Sequence, residues 1–561
     1  MKELLFYDIE VFAHDNFAVF MNKDKEVVQI FHNDYTGCAD LIRNKQLVAY
    51  NNHYYDDRVL PKMMAGWSPE QVKDLNDQII SGDQQIGKET KLKGTYDCFQ
   101  QIDVSRPSLK KIEGNLGKMI LESDVPFNIA RKLTEQEIKD VLFYCQYDVE
   151  NTIDVYFMRE KNYFKTKKHL IEMVDNPSKT IESWNTTTIS ANVLLNKPLP
   201  KWSDFRLGEY DKEGNYELLK LVPPEVRELW KGDKGNLTIE EFDCDIQFGF
   251  GGLHGQSKRE TRFENVTLWD VTSMYPHIIL NLNVLGPASD KYKQILEDRI
   301  ELKHTNPDLA GAYKLVLNSV YGNLNSKYSM LYNPNALKSV CFYGQIALYT
   351  LCKMLSPYVT IVNINTDGIG FISKTDNETL QKVRDEWEKI FNLYLEDDSF
   401  DKFIQKDVNN YIGVKSDHIK VKGGDVGRYA DDQPFRNNST RIVDIAVVDK
   451  LLYGKDVIDT IQENLDKPHL FQFILQAGGT FAGTYDMDDK KYQNINRVFA
   501  AVDEGVHLYK KKLPNSRVNF ADAPEKMLVW NDETSNLNDF VNKVDINFYY
   551  KLINKVLERW E

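Results

Sequence analysis

Residues 314–322 read KLVLNSVYG, and three of their polar side chains recur at a helical spacing. Lys314, Asn318 and Tyr321 occupy positions i, i+4 and i+7, so a helix presents them as one continuous stripe. A lysine on such a stripe supplies a compact positive charge for a phosphate group. Asn318 and Tyr321 can lie over a ligand, and Gly322 leaves room beside them. The stretch therefore predicts a helix with one continuous stripe of polar side chains, on which Lys314 can bind a phosphate group.

A break precedes this helix at residues 304–307. Asn306 can cap a new helix whose first residue is Pro307. A further helical stretch lies before the break, and Arg299 and Lys303 are four residues apart on it. These two cations can face the same ligand, although two acidic residues precede Arg299 and a surface ion pair is an alternative for it. The pattern predicts two consecutive helices.

Two predicted strand regions flank the helices, and each carries an aspartate. Thr267–Asp270 is apolar-rich and leads through Pro276 into a helix start. Val359–Ser373 alternates like a hairpin, for which Asp367–Gly368 is a favoured two-residue turn pair. Asp270 and Asp367 are therefore predicted neighbours on one antiparallel sheet. Two carboxylates suffice for two Mg²⁺ ions, because Mg²⁺ keeps several oxygens from water and phosphate.

A second acidic set lies in the first 160 residues, whose alternating strands and helices indicate an α/β unit. Asp8 and Glu10 are two apart on a predicted strand and leave the same face. Asp56 follows a second apolar strand, Gln46–Asn51. Tyr144 and Asp148 are four apart on the predicted helix Glu135–Tyr156, hence on one face. Acids from three elements can converge on two divalent ions, which activate water against a phosphodiester.

In order along the chain, these residues resemble the motifs of a known enzyme family. Asp8-Ile-Glu10, Asn51-x-x-x-Tyr55-Asp56 and Tyr144-x-x-x-Asp148 resemble the three exonuclease motifs of the DEDDy proofreading family. Asp270-Val-Thr-Ser273-Met-Tyr275-Pro276, Lys314-x-x-x-Asn318-Ser319-x-Tyr321-Gly322 and Asn365-Thr366-Asp367 resemble motifs A, B and C of family B DNA polymerases. The resemblance covers almost the whole chain, and it implies a DNA-directed DNA polymerase with a 3′→5′ exonuclease.

The resemblance also implies residue roles. Tyr144 orients the attacking water of the exonuclease, and Tyr275 is the steric gate that rejects a ribose 2′-hydroxyl. Two Mg²⁺ ions serve each site, with Mn²⁺ as a substitute. The implied metal ligands are Asp8, Glu10, Asp56 and Asp148 in the exonuclease and Asp270, Val271 and Asp367 in the polymerase. The implied nucleotide-binding residues are Ser273, Met274, Tyr275, Arg299, Lys303, Lys314, Asn318 and Tyr321. The implied DNA-binding residues are Gly251, Gly252, Tyr411, Lys420 and Lys422.

The expected fold class combines α/β and α+β units in several domains. An RNase H-like exonuclease domain (1–165) and a connector (166–245) come first. A right-hand polymerase follows, with an antiparallel palm sheet, a two-helix fingers insertion and a thumb. Its expected segments are palm 246–290, fingers 291–334, palm 335–430 and thumb 431–561.

Some positions depart from the family pattern. The first acid of motif C is replaced by Asn365, and Gly368 stands where serine is usual. The lysine expected before Tyr411 is missing, and the aromatic residue in FGFGGLHG (248–255) is offset from the related phage motif. Asp367 keeps the direct metal-binding acid, so we expect an active polymerase. Two alternatives are an exonuclease whose degenerate polymerase half serves as a DNA clamp, and a non-catalytic DNA-binding subunit.

The spacing of the motifs and the composition of the chain indicate the mode of priming and the cellular location. Lys314 follows Asp270 by 44 residues and precedes Asp367 by 53. These intervals leave no room for the insertions of protein-primed members, so the enzyme is expected to extend an existing primer. The compact chain resembles bacteriophage polymerases. A net charge of −14 is compatible with DNA binding where acids hold metal ions. Scattered cysteines, without a signal peptide or membrane span, predict a cytoplasmic protein, in the bacterial host if the chain is phage-encoded. A monomer is expected. Its expected partners are primer–template DNA, dNTPs and other replisome proteins.

Overall fold

The computed structural model describes residues 2–83, 85–202, 217–416, 418–430, 433–503, 505–512 and 516–560. In these residues the chain forms a mixed α/β, multidomain structure built on four sheets. All six cysteines are buried and free. Among the described helices, none has the length and apolar character needed to cross a membrane.

The N-terminal unit is built on a five-stranded sheet with the order β3-β2-β1-β4-β5. Its strands are β1 Glu3–Val11, β2 Asn16–Met21, β3 Val27–His32, β4 Lys45–Ala49 and β5 Tyr96–Asp97. Its helices are α1 Cys38–Ile42, α2 Asp56–Met64, α3 Pro69–Ile80, α4 Leu109–Asn115 and α5 Glu135–Arg159. The pairs β1–β2 and β2–β3 are antiparallel, whereas β1–β4 and β4–β5 are parallel.

Helix α5 covers the middle of this sheet. It begins with a capping box, because Thr134 accepts from the backbone of Glu137 while the Glu137 side chain accepts from Thr134. Its inner positions Cys145 and Val149 are buried against Phe6 and Val19. The helix predicted from the apolar spacing is therefore confirmed and extends three residues further, to Arg159.

After α5 come the helices α6 Thr166–Glu172, α7 Thr186–Leu194 and α8 Pro224–Trp230. They are followed by a nine-stranded antiparallel sheet. The order of its strands is β14-β13-β12-β9-β11-β10-β8-β7-β6. Their bounds are β6 Leu237–Glu241, β7 Cys244–Phe248, β8 His254–Ser257, β9 Arg262–Val271, β10 Val359–Asn365, β11 Gly368–Ser373, β12 Leu395–Asp407, β13 Asn410–Lys415 and β14 His418–Lys422. The sheet thus begins at Leu237, before residue 246.

Between β9 and β10 the chain forms the helices α9 Met274–Asn281, α10 Ser289–Thr305, α11 Pro307–Leu324 and α12 Pro334–Leu355. Helix α13 Asn377–Phe391 follows β11. The predicted break between α10 and α11 is confirmed, since the Asn306 side chain accepts from the backbone of Leu309 and Pro307 is the first residue of α11. Buried side chains of α12 and α13, with Trp387 fully buried, form the core with the sheet.

The predicted turn pair of the β10–β11 hairpin is wrong by one residue. Asn365 pairs with Gly368, so the two turn residues are Thr366 and Asp367. Thr366 takes the positive φ of 56°. Gly368 belongs to strand β11 rather than to the turn, because it also pairs with Asp270 on β9. Tertiary pairing overrides the local preference for an Asp–Gly turn.

The C-terminal unit contains two smaller sheets with the orders β15-β18-β21 and β17-β16-β19-β20. The strands are β15 Phe473–Gln476, β16 Phe481–Tyr485, β17 Lys491–Tyr492, β18 Ile495–Ala500, β19 Tyr509–Lys512, β20 Ser516–Asn519 and β21 Met527–Val529. The helices are α14 Arg441–Tyr453, α15 Val457–Gln462, α16 Phe540–Lys543 and α17 Ile546–Leu557.

The C-terminal unit holds the end of α4 in the N-terminal unit. The guanidinium of Arg497, whose side chain is fully buried, donates to the carbonyl oxygens of Gly114 and Lys118 at 3.1 and 2.7 Å. Asn115 donates to the carbonyl oxygens of Pro434 and Arg436 at 2.8 and 2.7 Å. Because these buried donors and acceptors satisfy one another, α4 is fixed between the two units.

Candidate active sites

The first candidate site lies on the N-terminal sheet, where β1, α2 and α5 meet. Asp8 and Glu10 leave the same face of β1, and their oxygens lie within 4.8 Å of one another and of the Cys145 sulfur. Asp56 is the first residue of α2, and Asp148 lies on α5. The charges of Asp8, Asp56 and Asp148 all act on Glu10. The structure therefore brings the four predicted acids of this site together.

Burial and mutual repulsion make these carboxylates hard to ionise. Burial, with the nearby charge of Asp148, raises the pKa of Asp8 to about 7. Burial also raises the pKa of Glu10 and of Asp56 well above their ordinary values, and Asp8 adds to both shifts. Carboxylates that repel one another in a buried site become stable as anions only when cations join them. The cluster has the composition expected for a divalent-cation site.

Lys110 is a cation of this cluster that the sequence did not reveal. It pairs with Asp148, lies 3.3 Å from a Glu113 oxygen and stands 4.5 Å from the centre of the Tyr144 ring. Its side chain is 11% exposed. A lysine at the start of a predicted helix usually faces solvent, so no local signal distinguishes it. Tyr144 is half-buried beside Asp148, and burial raises its pKa.

The second candidate site lies where β9 and the β10–β11 turn meet. Asp270, near the end of β9, pairs with Gly368, and the Val271 amide donates to the Asp367 carbonyl at 2.6 Å. Asp270 on β9 is thus held beside Asp367, which lies in the turn before β11. A side chain at residue 368 would collide with the Asp270 carboxylate. Glycine at this position is therefore matched to the placement of Asp270.

Charges around this pair come from several strands. Burial and the Asp367 charge raise the pKa of Asp270 to about 6, and burial raises that of Asp367. Lys420 on β14 lowers the pKa of both acids, and Lys422 lowers that of Asp367. Glu396 on β12 pairs directly with Asp270 and faces the same side of the sheet. No local sequence pattern indicates this third acid, because the β9–β12 register joins residues that are far apart in the chain.

Asn365 has a defined structural role in this site. Its side-chain amide donates to the Val408 carbonyl oxygen at 3.3 Å, and its amide oxygen lies 3.4 Å from the Thr366 hydroxyl. An ionised aspartate has no hydrogen to donate to Val408. The amide therefore ties the carboxylate turn to the loop between β12 and β13.

The start of α9 faces the same region. Ser273 precedes the helix with a φ of 46°, a left-handed conformation that non-glycine residues rarely adopt and that often occurs at functional sites. Arg299 of α10 donates to the Ser273 hydroxyl at 3.1 Å. The structure thus joins two predicted nucleotide-binding residues, while the Met274 side chain is buried and Lys303 is exposed.

Helix α11 presents its stripe as the spacing predicted. Lys314 and Asn318 are exposed, and the half-buried Tyr321 ring stacks on the Tyr275 ring with 4.5 Å between centres. Burial raises the pKa of both tyrosines, so both remain neutral. The stacked pair links α9 to α11 at the edge of the site.

The predicted DNA-binding residues differ in position. The Gly251 carbonyl accepts from Gln345 of α12 at 2.8 Å, and a side chain at Gly252 would meet that of Thr366, so this loop lies against the carboxylate turn. Tyr411 is only 8% exposed and packs on Phe403. Its pKa is raised to about 12 by burial and by the charges of the two aspartates. Tyr411 thus lies buried near the two acids rather than on an open surface.

Comparisons with known proteins give matches among solved structures. No protein-family model matches the chain, and no curated protein matches it. Among solved structures, the chain is similar to the family B DNA polymerase from the hyperthermophilic archaeon Pyrobaculum calidifontis. That similarity has a TM-score of 0.43 and 12% sequence identity, and it covers 100% of this chain and 78% of the archaeal one.

Proposed function

We propose that this chain is a DNA-templated DNA polymerase that extends a primer 3′ end and carries a separate 3′→5′ proofreading exonuclease. The pairing of Asp270 with Gly368, which sets Asp367 beside Asp270, carries the polymerase half of the proposal. An acid at the end of a strand beside an acid in the adjoining turn, with exposed cations on the helices α10 and α11, suits nucleotidyl transfer. The cluster of Asp8, Glu10, Asp56 and Asp148 supports the exonuclease half.

The residues at both sites fit divalent cations. Buried carboxylate oxygens are the hard ligands that Mg²⁺ prefers, and Mn²⁺ can replace it. Burial and then the charge of a neighbouring acid raise the pKa of Asp8 and of Asp270, and a bound cation would favour the ionised form of both. Asp270, Val271 and Asp367 would hold the ions of the polymerase, and the four N-terminal acids those of the exonuclease. When bound, the ions neutralise the phosphate and activate the attacking oxygen.

The surrounding side chains would bind and orient the nucleotide. Lys303 and Lys314 lie on the facing helices α10 and α11, and Arg299 reaches the start of α9. Cations there would bind the triphosphate, with the backbone amides at the start of α9 as further donors. The Tyr275 ring, held by its stack on Tyr321, would lie under the sugar and reject a 2′-hydroxyl.

In the exonuclease, Tyr144 would orient the attacking water. Its hydroxyl interacts with Asp148. The tyrosine is a hydrogen-bond donor at neutral pH, and burial raises its pKa further. We also propose that the enzyme acts as a monomer on primer–template DNA in phage genome replication. The order of the motifs supports the action on primer–template DNA.

Asn365 motivates a second candidate function, an exonuclease whose polymerase half only clamps DNA. Replacement of an acid by an amide removes one charge beside Asp367. The bond from Asn365 to Val408 argues for a preserved turn and therefore for the active polymerase. Primer extension distinguishes the two functions.

The test uses a primed DNA template with Mg²⁺, and an unprimed one for comparison. Asp270→Ala should abolish dNTP incorporation and leave degradation of a 3′ end unchanged, whereas Asp8→Ala should do the reverse. Asp385→Ala and Asp40→Ala are matched controls, because both aspartates are exposed on helices, α13 and α1, that carry none of the proposed site residues. They should retain both activities.

Each other outcome has a distinct meaning. No extension by the wild-type protein at any concentration would favour the clamp. Loss of both activities in a folded Asp270→Ala variant would contradict two independent sites. Absence of all Mg²⁺-dependent chemistry would favour a non-catalytic DNA-binding subunit.

A further inference from the structure

The side chain of Lys110 is buried where a cation is costly. It is the second residue of α4, and the N-terminal end of a helix repels positive charge. Only 11% of the side chain is exposed. A buried ammonium persists only when paired anions and hydrogen bonds offset its lost hydration. The groups that face Lys110 therefore indicate its role.

Those groups belong mainly to the exonuclease cluster. Lys110 pairs with Asp148 of α5 and, at 3.3 Å, with Glu113 of its own helix, while Asn151 donates to the same Glu113 oxygen at 3.2 Å. Its ammonium lies 4.5 Å from the centre of the Tyr144 ring, within the range of a cation–π interaction. Its charge also acts on Asp8 and Glu10. A single ammonium thus connects the acids with the tyrosine.

The neighbouring lysine of the same helix provides a contrast. Lys111 is half-buried and faces a cavity of about 500 Å³ between α4 and the C-terminal unit. Its backbone amide donates to the capping side chain of Ser108. Two successive lysines of α4 therefore face different parts of the molecule. Lys110 faces the carboxylates of Asp148 and Glu113, whereas Lys111 faces the cavity.

We propose that Lys110 is a positioning residue of the exonuclease, which holds the Asp148 carboxylate beside Tyr144 and limits the affinity of the site for divalent cations. The proposal rests on the exonuclease activity proposed above. Removal of the ammonium leaves Asp148 and Tyr144 without their shared partner and increases the net negative charge of the cluster. Hydrolysis should then slow while cation binding tightens, whereas simple structural damage would weaken both.

The experiment uses a parent protein with Asp270→Ala and Asp367→Ala, so that cation binding reports on the N-terminal site. Lys110→Met and the control Lys111→Met are made in this parent. We measure Mn²⁺ affinity by calorimetry and single-stranded DNA hydrolysis by steady-state kinetics. Lys110→Met should lower kcat about tenfold or more, as expected for loss of a group that orients ligands. It should also tighten Mn²⁺ binding about tenfold, the order expected for a nearby unit charge acting on a divalent ion.

Lys110→Arg should keep Mn²⁺ affinity within about threefold of the parent, because the charge is kept. The proposal is overturned if Lys110→Met hydrolyses DNA as fast as Lys111→Met, or if it loses Mn²⁺ binding together with hydrolysis. If Lys110→Met does not fold, Lys110→Gln provides the neutral variant. Failure of both to fold would assign Lys110 to the fold alone and overturn the proposal. A parent that never hydrolyses DNA would instead contradict the proposed exonuclease.

Discussion

Replacement of Asp8 by asparagine should stabilise the metal-free protein at alkaline pH. Burial and Asp148 raise the pKa of Asp8 from 3.8 to about 7, so folding places a carboxylate where its charge is unfavourable. A shift of about three units corresponds to roughly 4 kcal/mol as an upper bound. The neighbouring acids can share the proton, so we expect about 2 kcal/mol. Asparagine keeps an oxygen that can accept from Cys145, as Asp8 does at 3.7 Å.

The sign of the pH dependence follows from the direction of the shift. Above about pH 7 the carboxylate is ionised in the folded and unfolded states, and the full penalty applies. As the pH falls from about 7 to about 4, the folded protein takes up a proton and the penalty disappears. The advantage of Asp8→Asn should therefore be complete at about pH 8 and absent below about pH 4.

Thermal unfolding of the N-terminal unit, in the presence of a chelator, measures this effect. We expect Asp8→Asn to unfold roughly 4 to 8 °C higher than the wild type at about pH 8. Added Mg²⁺ should raise the unfolding temperature of the wild type more than that of the variant. Asp40→Asn, at an exposed position of α1, is the control and should change little. A variant that is less stable than the wild type at pH 8, or a difference independent of pH, would refute the electrostatic reasoning.

Three further predictions concern the polymerase site. Arg299→Ala should raise the KM for dNTPs about tenfold, because it removes a cation near Ser273. Steady-state kinetics of primer extension would measure the KM, and an unchanged exonuclease rate is the control. Asn365→Asp should lower the free energy of unfolding by about 1–2 kcal/mol, because aspartate cannot donate to Val408; an unchanged denaturant midpoint would contradict this. At limiting Mg²⁺, extension should decline as the pH falls through about 6, where Asp270 gains a proton, and an acid limb unaffected by Mg²⁺ concentration would argue against that assignment.

Local sequence signals predicted the helical features of the candidate sites, which depend on residues close together in the chain. The period of an α-helix places Lys314, Asn318 and Tyr321 on one face, and the structure exposes the first two of these side chains. The Asn306 cap and the helix that begins at Pro307 follow from the same kind of information. Such features depend on residues within one or two turns of each other, so the sequence alone determines them.

Other features depend on strand register and on burial, and both are set by residues that are far apart in the chain. The turn at Thr366–Asp367 is set by the pairing of Gly368 with Asp270, nearly a hundred residues away. Glu396 reaches the same acids only through the register of β12 on β9. These positions have no distinctive local pattern, so the sequence did not reveal them.

The sequence by itself determined the order of the acidic motifs, the periodic faces of α5 and α11, and the helix caps, because each depends on neighbours in the chain. Only the tertiary structure decided which charges meet. It buried Lys110 beside the N-terminal acidic cluster, and it buried Tyr411 near Asp270 and Asp367. The physical reason is that burial and electrostatic interaction depend on distance in space, which a one-dimensional pattern does not contain.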